Sequence, residues 1–125
     1  MGRLVSELLR ALVAMASSKD YLNFILAQLP QEDIAYRAMM REYILYFRGK
    51  VFGGIYDDRF LVKPTAAAVK LLPEAAHELP YPGAKEMLLV DDVENRELLK
   101  KLVEAMYEEL PYPAKKKRKS GKLLQ

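Results

Sequence analysis

The sequence predicts an α+β fold of two layers, an antiparallel sheet of four to six strands packed against helices at the N-terminus, in the middle and at the C-terminus. Three observations predict it. Residues 34–63 carry a period of two, interrupted by the turn candidates Arg48-Gly49 and Asp57-Asp58. On either side of that block the apolar spacing lengthens to that of a helix, around Tyr21 to Leu29 and around Leu98 to Leu110. The chain has 125 residues, 51% hydrophobic and 30% charged, which suits one domain with one modest core.

Taken in order, Leu4, Val5, Leu8, Leu9, Leu12 and Val13 recur at helical spacing, so residues 1–14 are expected to form an amphipathic extension. Glu7 and Arg10 break its apolar run, which argues against a signal peptide. Met15 is a second candidate start, and it would leave residues 1–14 outside the native chain. Ser17 or Ser18 can cap the next helix, whose stripe is Tyr21, Phe24, Ile25, Gln28 and Leu29; Pro30 stops it. Strands are expected from Ile34, over the aromatic and β-branched Glu42 to Phe47, from Lys50 to Tyr56, and from Arg59 to Lys63. Thr65 opens a short helix that Pro73 ends. Residues 74–86 are Pro-rich and expected to be extended, and Met87 to Val90 is a short strand. Asp91 or Asp92 is the expected cap of the last helix, with Leu98, Leu99, Leu102, Val103, Met106 and Leu110 as its buried stripe. The globular domain is thus expected to span residues 15–113, with residues 114–125 as a basic tail too poor in apolar residues to fold alone.

The charge balance divides the same way. The net charge is +3, yet six of the twenty basic residues lie in the terminal run of Lys115, Lys116, Lys117, Arg118, Lys119 and Lys122; the other fourteen face seventeen acids, so the domain is mildly acidic. Flexible cations of this kind neutralise phosphates without reading sequence, which makes Lys115 to Lys119 candidate contacts for nucleic acid or for a partner. Arg37 and Arg41, among the aromatics of the sheet, are the other candidates. Alternation sends Tyr43 and Tyr46 to opposite faces, so the sequence implies no single stacking platform.

No constellation points to catalysis. Without cysteine there is no disulfide, thiolate nucleophile or cysteine zinc site, a composition that suits a reducing cytoplasm. Gly53-Gly54 is followed by strand formers and not by a helix with Lys-Ser/Thr, so it reads as a bulge or a close approach and not as a phosphate loop. Asp57, Asp58, Asp91 and Asp92 would hold a hard cation only if their turns converged; the commoner role of such residues is a local hydrogen bond in a turn or cap. His77 is the single histidine and lacks triad spacing. The expectation is a chain with no catalytic residue, no metal and no cofactor. The pentapeptide ELPYP occurs twice, at Glu78 to Pro82 and Glu109 to Pro113, read as two exits from secondary structure by the same Leu-Pro stop with Tyr packed on the surface.

The stretch Arg37 to Lys63 resembles the N-terminal domain of the TfoX/Sxy family, bacterial regulators of natural competence. Ile44 to Phe47 is similar to its first strand, Arg48-Gly49 to its first turn, Val51 to Ile55 to its second strand, Asp57-Asp58 to its second turn and Phe60 to Lys63 to its third strand. With the later Pro-Tyr-Pro segment and the closing helix, the resemblance covers residues 17–113. Two departures matter: the family's Phe-Gly-Gly precedes its first strand, where this chain has Met40-Arg41-Glu42, and the family's second domain is replaced by the basic tail. The resemblance implies a non-enzymatic regulatory or adaptor module of the cytoplasm that acts with a transcription factor or other protein partner, with a homodimer as a further candidate. The alternative is a nucleic-acid-associated protein that binds through its tail.

Overall fold

A computed structural model describes residues 18–40 and 42–112. The element order is α1 (Lys19–Gln28), a 3-10 turn (Gln31–Asp33), β1 (Ile34–Met39), β2 (Glu42–Phe47), β3 (Lys50–Tyr56), β4 (Phe60–Val62), α2 (Ala66–Leu71), β5 (His77–Glu78), β6 (Met87–Leu89) and α3 (Arg96–Tyr107). The six strands form one sheet in the order β1-β2-β3-β4-β6-β5, with every neighbouring pair antiparallel. The predicted two-layer α+β architecture is therefore present, with helices at the beginning, middle and end. Expectations for residues 1–14, Arg41 and the tail lie outside the described residues.

Local chemistry explains the boundaries. Ser18 caps α1, its hydroxyl accepting from the Tyr21 amide, and Thr65 caps α2 through the Ala68 amide. The cap of α3 is a correction: Asn95 accepts from the Leu98 amide, while Asp92 accepts a side-chain bond from Asn95 at 3.2 Å. Leu98, expected in the buried stripe, is only half-buried; Leu99, Leu102, Val103 and Met106 carry the packing. Both predicted hairpins form on two-residue turns of positive φ, Arg48 (+50°) with Gly49 (+85°) and Asp57 (+54°) with Asp58 (+55°). That handedness matches the twist of the strands it joins. Within the Pro-rich segment, His77 and Glu78 add a short edge strand that no periodicity announces.

The three helices of the described residues pack on one face of the sheet. Leu22 and Ile25 of α1, Ala68 of α2 and Leu99, Leu102, Val103 and Met106 of α3 share a core with Leu45, Phe47, Phe52, Ile55, Phe60, Val62 and Leu88. The reverse face holds a smaller cluster of Tyr56, Leu61 and Met87, flanked by Ile44 and Leu89.

Strand β3 bends between these faces. Leu45 pairs with Gly53 but Tyr46 pairs with Val51, so Phe52 is an extra residue opposite β2. Phe52 and Ile55, three positions apart, both enter the helix-side core. The glycines fit this bulge, although the space they leave belongs to neighbouring strands and not to a helix. A Cβ on Gly53 would overlap the Leu61 carbonyl oxygen and stand 2.9 Å from the Val62 Cα. One on Gly54 would meet the Tyr43 carbonyl oxygen at 2.6 Å and the Tyr56 hydroxyl at 2.8 Å. Since the obstacle at Gly53 is backbone, Gly53→Ala is expected to lower the unfolding free energy by about 2–3 kcal/mol, measured by urea denaturation. A loss below about 0.5 kcal/mol, the range of a neutral surface change, would contradict this packing.

Candidate functional site

The two edges of the sheet differ. At one end β5 has two residues, too few to template another strand. At the other, β1 is a regular six-residue strand of sequence IAYRAM with no proline, no bulge and one charge. Five of its six residues are exposed, and among the described residues only β2 pairs with it.

Its register shows which backbone groups are open. The Arg48 amide donates to the Asp33 carbonyl at 2.9 Å, which makes Asp33 and Arg48 a hydrogen-bonded pair in the ladder. In antiparallel pairing such pairs alternate, so Ala35, Arg37 and Met39 bond inward to β2. Tyr36 and Ala38 then turn both N–H and C=O to the open edge; Ile34 adds only its C=O, because its N–H donates to the Gln31 carbonyl. Tyr36 and Met39 are 40% and 39% exposed, on opposite faces of the strand, and Met40 is fully exposed, so apolar side chains flank the unpaired backbone. The Tyr36 ring rests edge-on against Tyr43, with ring centroids 5.9 Å apart, on the helix side of the sheet. Arg37, opposite Ile44, lies on the reverse side, exposed and with no ion-pair partner among the described residues.

The reverse face carries a second feature. Arg59 binds five groups at once: Nε donates to the Tyr56 carbonyl, Nη1 to Glu78 at 2.8 Å and to the Leu79 carbonyl, and Nη2 to the Pro80 carbonyl, while Asp57 stands 3.7 Å away. This clamp holds the segment after β5 against the β3–β4 hairpin and sets Tyr81 beside Tyr56, ring centroids 6.5 Å apart. Between segment and sheet lies an open groove of about 450 Å³ whose lining includes Val51, Tyr56, Lys63, Tyr81, Lys85 and Met87. Burial, with Glu42 and Tyr81 adding to it, pushes the Tyr56 phenol up to about 12. Burial also lowers the Lys63 ammonium below the ordinary lysine value.

The remaining polar groups hold the fold together. Asp58 accepts from the Ser18 amide at 2.7 Å and so ties the β3–β4 turn to the start of α1. Asp58 and Asp91 both approach Tyr21, whose phenol is raised by burial first and by these two carboxylates next. Among the described residues no three of His, Asp and Glu converge as a metal would require. His77 is exposed and faces Glu86 at 3.5 Å. Arg48 stacks on Phe47 and pairs with Asp33 at the end of the strands opposite the β1–β2 turn, so it forms no basic stripe with Arg37. Lys50, buried, donates to the Tyr107 carbonyl at the end of α3 and lies over the Tyr107 and Tyr112 rings at 4.0 and 4.5 Å. The two ELPYP copies also act as pins: Glu78 takes Arg59, and Glu109 accepts from the Ala66 and Ala67 amides at the start of α2.

No protein-family model matches the chain, and no solved structure does. The TfoX/Sxy resemblance thus rests on the residues quoted for it. A protein of Spirochaeta aurantia, described as an uncharacterized 12.7 kDa protein in the trpE 5' region, is 36% identical over 110 residues, covering 85% of this chain and 94% of its own length.

The Tyr56 environment has a pH consequence. Its folded value lies above the ordinary phenol value of 10, so the folded state keeps the proton longer than the unfolded state. Stability from this group is complete below pH about 10 and falls as pH rises toward about 12. Denaturation across that window should show a steeper loss for the wild type than for Tyr56→Phe; equal slopes would contradict the assignment.

Proposed function

The chain belongs to the family of the 12.7 kDa protein of the Spirochaeta aurantia trpE 5' region, and from there we propose that it is a non-enzymatic adaptor whose β1 edge accepts an extended segment of a protein partner. One observation carries this reading: among the described residues, β1 presents unpaired backbone donors and acceptors at Tyr36 and Ala38 next to exposed apolar side chains. Natural sheets commonly blunt such an edge with lysine, proline, a bulge or a very short strand. Here the β5 edge is blunted by its length, whereas β1 has no lysine, proline or bulge and a single charge, Arg37. Strand addition uses such an edge directly: main-chain bonds supply affinity and alternate side chains supply choice. A partner strand would set one side chain beside Tyr36 on the helix side and the next beside Arg37 on the reverse side, where an acidic residue fits. The TfoX/Sxy resemblance supports a partner in transcription regulation.

Ala38→Pro tests this, because it removes an outward N–H and adds bulk on the open edge while sparing the bonds to β2. Tagged wild type, Ala38→Pro and a chain ending at residue 113 would be used to capture partners from native-host extract treated with nuclease. The expected result is a protein enriched by the wild type and the shortened chain, and reduced at least about tenfold by Ala38→Pro, an effect of about 1.4 kcal/mol. Enrichment that ignores Ala38→Pro, that needs the basic tail, or that is absent contradicts the proposal.

A further inference from the structure

The reverse-face groove has the chemistry of a ligand site separate from the β1 edge. Its floor and walls are apolar, from Val51, Pro64 and Met87, with the Tyr56 and Tyr81 rings set at 55° to one another. Among the described residues, two donors in it have no hydrogen-bond partner. Among the described residues the Lys63 ammonium makes no hydrogen bond or ion pair, although it is partly withdrawn from water. The Tyr56 hydroxyl makes none either, although the residue is 7% exposed. Such groups cost stability unless something accepts from them. Lys85 adds a second cation to the lining. Of the nearby carboxylates, Glu86 lines the groove but approaches His77 at 3.5 Å, and Glu42 is not among the lining residues. The wall is built for the purpose of lasting: the Arg59 clamp fixes Pro80, and the Ala84 amide closes a turn on the Tyr81 carbonyl at 3.1 Å.

We propose that this groove binds a small organic carboxylate with a flat apolar body, its carboxylate on Lys63 and the Tyr56 hydroxyl and its body laid against Met87 and the exposed side of the tyrosine pair. An ammonium and a phenol O–H both donate and so match an acceptor-only anion. The apolar remainder suits a ring system, and the volume lies in the range of small-molecule sites.

The test uses the full chain and 1-naphthylacetate, with the neutral 1-naphthylacetamide as control, followed by amide chemical shifts. Saturable shifts at Val51, Lys63 and Tyr81 are expected, with a Kd of about 1 mM or tighter for a ligand of this size. The acetamide should bind at least about tenfold more weakly, and Lys63→Met should lose the same factor while Lys63→Arg keeps most of the affinity. Absence of saturation to about 10 mM, equal binding of the amide, or an unchanged Kd in Lys63→Met overturns the proposal.

Discussion

The close contact of β3 with β4 at Gly53 is the constraint on which the rest depends. Because Gly53 has no side chain, the Leu61 carbonyl and the Val62 backbone can approach it, and the extra residue at Phe52 can be absorbed. The bulge then places Phe52 and Ile55 together in the helix-side core, although strict alternation would part them. It also leaves Val51, Tyr56 and Lys63 on the reverse face, where they line one groove. A side chain at Gly53 would force the two strands apart and disturb both faces at once.

The second determinant is asymmetry. Three helices cover one face, so that face is spent on stability. Among the described residues the reverse face is covered only by the segment that Arg59 clamps, and of the two edges only β1 is long and regular. Binding surfaces arise where the fold leaves backbone or apolar area without a partner. Among the described residues those places are the β1 edge and the groove, and they lie on different parts of the sheet.

Much of the fold was legible because its signals are local. The two turns need positive φ and are marked by Arg48-Gly49 and Asp57-Asp58; Ser18 and Thr65 cap helices through amides three residues on. The sequence points too early for the α3 cap because Asp91, Asp92 and Asn95 all favour such positions, and it is Asn95 that accepts from the Leu98 amide while Asp92 accepts from Asn95. Strand β5 has no period to read in two residues. The site was less legible. Arg59 acts on groups 19 to 21 residues away, and nothing near it in sequence announces them. In the sequence Arg37 stands out for its charge beside aromatics, whereas what distinguishes its strand among the described residues is unpaired backbone, which no side chain encodes. The cue that could have found it is the composition of IAYRAM, a strand without lysine, proline or glycine.

Amide hydrogen exchange in the isolated chain tests the open edge most directly. Ala35 and Arg37 bond to β2, whereas Tyr36 and Ala38 point away from it. With β1 open, the Tyr36 and Ala38 amides should exchange at least about a hundredfold faster than those of Ala35 and Arg37. Equal protection of all four would mean that the edge is already paired, and would contradict a β1 strand that waits for a partner.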